Sequence, residues 1–236
     1  MSVGTIRALA ARLIDLQEVS SMKMKSHIIC VFGVALAASI TVGAMAADNS
    51  SSPAKERIAT FAGGCFWCVE SDFDHVPGVL RTISGYTGGK LKNPTYRSVS
   101  RGGTGHREAV QIVYDPKKVT YVALLEVFWR SVDPTDDGGQ FCDRGDVYDT
   151  AIFANSDEQK RQADASKQKL QRSGILKHPI VTPIEIAGPF YAAETYHQDY
   201  YKKNPVRYKF YRYRCGREAR IEELWGKDAH RGITKH

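Results

Sequence analysis

The sequence has few cysteines, and their spacing argues against a structural metal site. Its 236 residues include five cysteines, of which only Cys65 and Cys68 form a Cys-x-x-Cys pair. Structural zinc needs a second such pair or a histidine pair at ligand spacing, whereas Cys142 and Cys215 each stand alone. Internal repeats and low-complexity blocks are also absent after the first 50 residues. We therefore expect one ordinary globular domain without a bound metal.

A nucleic-acid-binding motif is lacking as well, although the chain is basic. The net charge is +7, and nucleic-acid binding would need that charge on one face together with a recognisable motif. Several basic residues fall near the C-terminus: Arg207, Lys209, Arg212, Arg214, Arg217 and Arg220. We interpret them as solvated charge on a coil that wraps the domain, and expect no nucleic-acid partner.

No apolar run is long enough for a membrane span, but one has the length found in a secretory leader. The basic start Met22-Lys23-Met24-Lys25 precedes an apolar run over residues 28–40, and Ala44-Met45-Ala46 fits the cleavage rule. A transmembrane helix needs about 20 apolar residues. We expect residues 1–47 to be a leader, removed together with Cys30, and no stable membrane insertion afterwards.

The leader predicts export, with the periplasm as the destination and the cytoplasm as the alternative if the leader does not function. Residues 1–21 fit no export pattern, so Met22 or Met24 is a candidate start of translation. In an oxidising compartment the four remaining cysteines can form disulfides, in any of three pairings.

The remaining sequence predicts an α+β fold. We divide it into a polar linker (48–56), a catalytic domain (57–205) and a C-terminal tail (206–236). Strand patterns at residues 57–62, 79–86, 108–114, 151–153 and 181–186 are separated by helical patterns beginning at Cys65, Thr120, Ser156 and Ala192. Several links between strands are too short for a helical crossover. We therefore expect a two-layer sandwich with a central mixed β-sheet and flanking helices, followed by a long C-terminal coil.

Cys65 is the strongest functional candidate in the chain. It follows Gly63-Gly64 and opens a predicted helix, where backbone N–H groups favour a thiolate. A thiolate attacks electrophiles, and the preceding glycines allow another molecule to approach the backbone closely. The adjacent Phe66 and Trp67 supply an apolar wall that a purely structural thiol does not require. We expect Cys65 to be a nucleophile.

Four further polar residues lie at strand ends or in glycine-rich loops. They are Tyr96, Glu108, Asp143 and Tyr148, and each alone is weak evidence because loop carboxylates are usually just solvated. Together they provide two phenols and two carboxyls without a Ser-His arrangement. Such a set can donate protons or hydrogen bonds to an oxygen while a thiolate attacks beside it.

The ordered motifs of the chain resemble those of one known family. From residue 59 to residue 205 the sequence is similar to peptide methionine sulfoxide reductases of the A type. The motifs that carry the resemblance are Gly64-Cys65-Phe66-Trp67, Gly85-Tyr86-Thr87-Gly88-Gly89, Asn93-Pro94-Thr95-Tyr96, Gly105-His106-Arg107-Glu108-Ala109-Val110, Tyr114-Asp115-Pro116, Phe128-Trp129, Asp133-Pro134 and Tyr196-His197-Gln198-Asp199-Tyr200. One short motif arises easily by chance, whereas this ordered set does not.

The resemblance implies thiol-dependent reduction of methionine-S-sulfoxide in oxidised proteins, and free methionine sulfoxide is a second candidate substrate. Cys65 would attack the sulfoxide sulfur, and Glu108, kept protonated by burial, would protonate its oxygen. Tyr96 and Tyr148 would hydrogen-bond that oxygen, and Asp143 would order the network. Phe66 and Trp67 would hold the S-methyl group and discriminate between the sulfur epimers. Two further aromatic residues, Tyr86 and His197, are candidates for supporting the pocket.

Attack would leave Cys65 as a sulfenic acid, which condenses with a nearby thiol. We expect Cys215, on a mobile tail, to resolve it, because a Cys65–Cys68 bridge would strain the first helical turn. Cys68 is the alternative, and Cys142 is interpreted as a packed thiol. The family's glycine-rich C-terminal tail with cysteines is missing here, so the regeneration route departs from that pattern. Thioredoxin or a thioredoxin-like protein would reduce the disulfide. No cofactor is implied, and we expect a monomer.

Two other functions remain open at this point. A general dithiol–disulfide oxidoreductase would use Cys65 and Cys68, but it would leave Tyr96, Glu108 and Tyr148 without a role. An exported basic binding module, stapled by disulfides, would need no reactive thiol at all.

Overall fold

The structure is a computed structural model, and it describes residues 55–234. The predicted leader and all but the end of the predicted linker lie outside the described residues. Among the residues that are described, none of the helices combines the length and the apolar character that crossing a bilayer requires.

A six-stranded sheet forms the centre of the described residues. Its strands are β1 (Arg57–Ala62), β2 (Val79–Thr87), β3 (Arg107–Tyr114), β6 (Ala151–Ala154), β7 (Ile184–Ile186) and β8 (Tyr191–Ala192), and β4 (Gly139–Gln140) pairs with β5 (Asp143–Arg144) in a separate two-stranded ribbon. The strand order is β7-β6-β1-β3-β2-β8. Only the β6–β7 pairing is parallel, and the others are antiparallel. The prediction of an α+β fold with a central mixed sheet is confirmed.

Helices flank this sheet. They are α1 (Phe66–Asp74), α2 (Tyr96–Val99), α3 (Tyr121–Trp129), α4 (Asp157–Arg172), α5 (Tyr200–Lys203), α6 (Pro205–Arg214) and α7 (Arg217–Trp225), with 3₁₀ turns at Asp146–Tyr148 and Gly226–Asp228. Thr120 and Ser156 cap α3 and α4 as the sequence predicts, each accepting a backbone N–H three residues later. Ser156 and Gln159 have the spacing of a capping box, but the box is incomplete, because the Gln159 side chain accepts the backbone N–H of Asn155 instead of that of Ser156.

The core packs strand β1 against helices α1 and α3. The ring of Phe61 on β1 lies 5.5 Å from that of Phe73 on α1 and 5.0 Å from that of Phe128 on α3. All three rings are fully buried. This packing fixes the end of β1 and the body of α1, and therefore the turn between them.

The predicted C-terminal coil is wrong, because the described part of the tail forms α6 and α7. Pro205 opens α6 at its first position, where its missing N–H costs nothing. Tyr208 and Arg212 are buried at i, i+4 spacing, and α7 buries Arg217, Ile221 and Trp225 in the same manner. The sequence pattern hid these stripes because two of the buried positions are arginines, which are normally exposed.

A second difference concerns residues 192–203, where the sequence predicts a continuous helix. The chain instead ends strand β8 at Ala192 and forms only the short α5. Asp199, directly before α5, adopts a left-handed backbone with φ +53°, which interrupts any helix. The side chain of Gln198 bonds the carbonyls of Ser84 and Ala193, so this irregular segment is held by tertiary contacts that no local pattern reveals.

Candidate active site

The turn between β1 and α1 presents Cys65. Gly64 has φ +81°, a backbone conformation open to glycine, and a Cβ at this position would lie 2.6 Å from Cβ of Gln140. Cys65 itself is the N-cap of α1, in an extended backbone conformation with φ −50° and ψ 118°. Its carbonyl accepts the backbone N–H of Cys68 at 3.0 Å. The turn from β1 to α1 therefore needs the two glycines, because side chains there would clash with neighbouring residues such as Gln140.

Cys65 and Cys68 are both free and buried, and they form one hydrogen-bonded pair of sulfurs, called here the buried pair. Burial, reinforced by the hydrogen bond to Cys68, raises the pKa of Cys65 well above that of an ordinary thiol. The hydrogen bond from Cys65 lowers the pKa of Cys68 to about 7 against the effect of burial, with further help from Arg217 and Arg212. The directions of these two shifts favour ionisation of Cys68 over ionisation of Cys65, and the thiolate expected at Cys65 stays a prediction.

Glu108 lies on β3, with its carboxyl group against the start of α1. Its Oε2 accepts the backbone N–H of Phe66 at 3.0 Å. Burial raises its pKa to about 8, although that hydrogen bond acts in the opposite direction and the nearby charge of Asp143 adds to the rise. At neutral pH the carboxyl group is therefore mostly protonated and able to donate a proton.

The structure brings the other polar candidates to the same place. A cavity of about 70 Å³ is lined by Cys65, Phe66, Trp67, Tyr96, Glu108, Asp143, Tyr148 and Tyr211. Burial raises the pKa of Tyr96 to about 12 and raises that of Tyr148 too, so both phenols keep their protons. Burial also raises the pKa of Asp143, which accepts a hydrogen bond from the Tyr211 hydroxyl.

Aromatic rings form the wall beside Cys65. Trp67 stacks on Tyr200 with ring centroids 3.7 Å apart, and its indole N–H donates to Nδ1 of His197 at 3.0 Å. The Phe66 ring lies 5.0 Å from that of His197 and 5.8 Å from that of Tyr86. Tyr86 and His197 thus support Phe66 and Trp67 from behind, outside the set of residues that line the cavity.

Sequence reasoning missed three residues of this site. Glu194 accepts the Tyr86 hydroxyl and the backbone N–H of Tyr96, both at 2.9 Å, and so holds two aromatic residues in place. Tyr200 stacks on Trp67, and Tyr211 closes the cavity against Asp143. Tyr200 ends the motif Tyr196-His197-Gln198-Asp199-Tyr200, but no sequence pattern indicates that its ring stacks on Trp67. Tyr211 lies in the tail taken for coil, and only its helical spacing to Tyr208 and Cys215 could have drawn attention to it.

Cys142 and Cys215 form a disulfide across 73 residues of sequence, called here the bridged pair. The interpretation of Cys142 as a packed thiol is therefore wrong, and Cys215 lies at the end of a helix rather than on a mobile tail. The sulfur of Cys215 is 3.7 Å from Oδ2 of Asp143. The sequence does not reveal this pairing, because only the fold brings two cysteines 73 residues apart into bonding distance.

Comparison with known proteins decides the family. The model of the family described as peptide methionine sulfoxide reductase matches residues 57–229. The chain belongs to this family. It is an oxidoreductase of the A type, as the sequence motifs predict, and the two competing functions are set aside.

Relatives and solved structures agree with this assignment. The chain is 57% identical over 173 residues to the MsrA reductase of Bacillus licheniformis and 58% identical over 172 residues to that of Bacillus subtilis. Each match covers 73% of this chain, and 96% and 97% of the relative, respectively.

Among solved structures, reduced Mxr1 from Saccharomyces cerevisiae is 34% identical with a TM-score of 0.60, and covers 65% of this chain and 88% of its own. Methionine sulfoxide reductase A of Corynebacterium diphtheriae is also 34% identical, with a TM-score of 0.58 and coverage of 66% and 78%. Both have the same mixed-sheet fold.

Proposed function

We propose that this reductase converts methionine-S-sulfoxide in oxidised proteins to methionine, with Cys65 as the nucleophile. The observation that carries the proposal is the cavity in which the thiol of Cys65 and the neutral carboxyl of Glu108 face the same space. A sulfoxide needs both a nucleophile for its sulfur and an acid for its oxygen. Free methionine sulfoxide carries the same group and is a second substrate candidate.

The first step transfers oxygen from the substrate to Cys65. The Cys65 sulfur attacks the sulfoxide sulfur while its proton passes to the hydrogen-bonded Cys68, and Glu108 protonates the oxygen. A Cys65 S–O bond then replaces the S–O bond of the substrate, and methionine leaves. The substrate sulfur gains two electrons, and Cys65 loses two and becomes a sulfenic acid. Glu108 recovers its proton from Cys68.

The two phenols of the cavity stabilise charge on the oxygen during that step. Tyr96 and Tyr148 retain their protons, so both can donate hydrogen bonds to an oxygen held between them. Phe66 and Trp67 line the same cavity and would enclose the S-methyl group, so that a sulfoxide bound there has its methyl and its oxygen held by different side chains. This asymmetry is the basis for selecting the S epimer.

Cys68 resolves the sulfenic acid in this scheme. Its thiol interacts with that of Cys65 three residues away, whereas Cys215 is bonded to Cys142. The position of Cys65 as the N-cap of α1 supports a Cys65–Cys68 bridge, because redox-active Cys-x-x-Cys pairs occupy such helix starts. The Cys68 thiolate attacks the Cys65 sulfur, an S–S bond forms, and the hydroxyl leaves as water with a proton from Glu108.

Reduction of that disulfide needs an external dithiol, for which we propose thioredoxin or a thioredoxin-like protein. We also propose export to the periplasm by way of the leader at residues 1–47. The disulfide between Cys142 and Cys215 supports an oxidising compartment. N-terminal sequencing of the protein recovered from a periplasmic extract tests this: a start near Asp48 supports cleavage, and an intact leader contradicts it.

The activity is tested by mass spectrometry of a methionine sulfoxide peptide incubated with the full chain and dithiothreitol. The peptide is expected to lose the mass of one oxygen, and Cys65→Ser is expected to abolish the loss. Cys142→Ser is the matched control, because it removes a cysteine that does not line the cavity. A Cys65→Ser variant that still reduces the peptide would sink the proposal.

A second assay tests the selectivity with separated sulfoxide epimers. Only the S epimer is expected to react, and Trp67→Ala is expected to narrow the preference because it removes one side of the methyl pocket. Equal rates of the parent enzyme on both epimers would contradict the assignment of Phe66 and Trp67.

A further inference from the structure

Arg217 lies beneath the turn that presents Cys65. It is the first residue of α7, and its side chain is only 2% exposed. Its guanidinium donates to the carbonyl of Gly63 at 3.3 and 3.2 Å, from Nη1 and Nη2, and Nη2 also donates to the carbonyl of Ser131 at 2.9 Å. One side chain thus ties the residue two positions before the nucleophile to the end of α3.

The same guanidinium contacts the loop that carries Asp143. Its Cζ lies 4.7 Å from the ring centroid of Phe141, a cation–π contact. Phe141 has φ +56°, a left-handed backbone conformation that a non-glycine residue keeps only where the surrounding structure imposes it. Arg217 is therefore the common support of the nucleophile turn and the Asp143 loop.

Arg217 also belongs to a buried charge cluster next to Cys68. Asp72 on α1 is fully buried and lies 2.8 Å from Arg212 and 3.8 Å from Arg217. Arg212 donates to the carbonyl of Cys68 at 3.5 Å and pairs with the half-exposed Glu218. Two guanidinium groups therefore share one fully buried carboxylate, and one of them also reaches the backbone carbonyl of Cys68.

The charges that act on Cys68 come from every side of it. Arg217 and Arg212 lower its pKa and Asp72 raises it. From β3, Glu108 interacts with Cys68 and is mostly neutral at pH 7. The buried phenols of Tyr208 and Tyr211 on α6 face it as well, and both remain protonated. The arginines are thus the only permanent cations of this set.

We propose that Arg217 is a positioning residue of the reductase reaction, holding the Gly63–Gly64 turn for attack by Cys65 and placing its positive charge beside Cys68 for the resolving step. This inference rests on the proposed function. It assigns two separable effects to one side chain: hydrogen bonds that fix the turn, and a charge that stabilises the anionic form of Cys68.

Two variants separate these effects. Arg217→Met fills the site without charge or donors, and Arg217→Lys keeps the charge but lacks the planar fork that reaches both carbonyls. Arg214→Met is the matched control, because Arg214 is exposed on α6 and forms no ion pair among the described residues. Each is made in the full chain with Cys142 and Cys215 intact.

The first measurement is the ionisation of Cys68 itself. In a Cys65→Ser background Cys68 is the only free thiol among the described residues. The ultraviolet absorbance of the thiolate, followed as pH rises, then measures the ionisation of Cys68. A Cys65→Ser Cys68→Ser variant supplies the baseline. Arg217→Met is expected to move the midpoint up by about one pH unit, which for a midpoint that starts near 7 lowers the thiolate fraction about fivefold at pH 7. Arg217→Lys and Arg214→Met are expected to leave the titration midpoint of Cys68 unchanged.

The second measurement is the rate of the first turnover, followed as methionine sulfoxide consumed per enzyme without reductant. Both Arg217 variants are expected to slow it about tenfold or more, because neither holds the turn, and Arg214→Met is expected to match the parent. An unmoved midpoint in Arg217→Met, or an unslowed first turnover in both Arg217 variants, overturns the inference. If Arg217→Met does not fold, Arg217→Lys still tests the inference: a first-turnover rate equal to that of the parent overturns it.

The two proposals fail in different ways. If the parent protein consumes no sulfoxide, the proposed function fails, while the thiolate titration of Cys68 still reports on the charge of Arg217. If the parent is active and the variants behave like Arg214→Met, only the role of Arg217 is lost.

Discussion

The two cysteine pairs of this chain differ in every property that decides the reactivity of a thiol. The buried pair is three residues apart at the start of one helix, is free, and shares a hydrogen bond that divides the charge unequally. The bridged pair is 73 residues apart and joins the exposed Cys142 to the end of α6. In the first pair Cys65 lines the cavity, whereas the second pair lies next to Asp143, another lining residue.

This contrast teaches that proximity along the chain and proximity in space serve different purposes here. A Cys-x-x-Cys spacing at a helix start brings two sulfurs together without any tertiary contact, so it suits a pair that must form and break a bond in each cycle. A bridge over 73 residues limits the unfolded ensemble and fixes two remote segments. It therefore suits a structural role beside Asp143 and Tyr211.

Removal of one cysteine from each pair is expected to have the largest effect on activity. Cys68→Ser is expected to release one methionine per enzyme and then stall with thioredoxin as the reductant, because the sulfenic acid has no neighbouring thiol with which to form the disulfide that thioredoxin reduces. Cys215→Ser, the matched control, is expected to keep cycling at close to the parental rate. Product counted per enzyme over time, with mass spectrometry of Cys65, measures both. Continued cycling by Cys68→Ser together with a stall in Cys215→Ser would reverse the roles of the pairs.

A second prediction concerns the pH dependence of the buried pair and Glu108. The first turnover is expected to rise as pH increases through about 7, where Cys68 becomes able to take the proton of Cys65. It is expected to fall above about 8, where Glu108 loses its proton and no longer acts as the acid. Because the groups interact, the two apparent values belong to the set.

Glu108→Gln tests which group produces the upper limb of that profile. The variant is expected to lower the single-turnover rate by about 10²–10⁴-fold and to lose the decline above pH 8. Glu194→Gln is a useful comparison, since Glu194 holds Tyr86 and Tyr96 but does not line the cavity. A parental rate in Glu108→Gln would remove Glu108 as the acid.

The smallest expected effect on activity comes from opening the bridged pair. Cys142→Ser is expected to lower the free energy of unfolding by about 2–4 kcal/mol, measured by denaturant titration, because a long loop in the unfolded chain is released. The reductase activity of the folded enzyme is expected to remain. An unchanged unfolding midpoint, with activity lost, would show that the bridge belongs to catalysis instead of stability.

Some features were predictable from sequence because they depend on neighbours along the chain. The turn at Gly63 and Gly64, the alternation of Val110, Ile112 and Tyr114 on β3, and the N-caps Thr120 and Ser156 are local patterns with a direct physical cause. The motifs around Cys65, Tyr96 and Glu108 were recognisable for the same reason. The structure then brings these residues to one cavity.

Other features could not be predicted because their cause lies in tertiary contacts. Arg212 and Arg217 resemble solvated charge in the sequence, yet they are buried against Asp72, a residue some 140 positions away. Because buried arginines are rare, the sequence of α6 and α7 shows no apolar stripe and predicts coil. Tyr211 and Glu194 were missed in the same way, since each gains its role only from a partner on another element.

The sequence by itself determined which sulfur is held at a helix start, which residues flank it and which family the chain belongs to, because these depend on short motifs in a fixed order. The tertiary contacts determine in which direction the pKa of each neighbouring thiol shifts and how the other two cysteines pair. Burial, hydrogen bonding and the field of remote arginines set the energy of an ion, and none of these is encoded at the position where the ion sits.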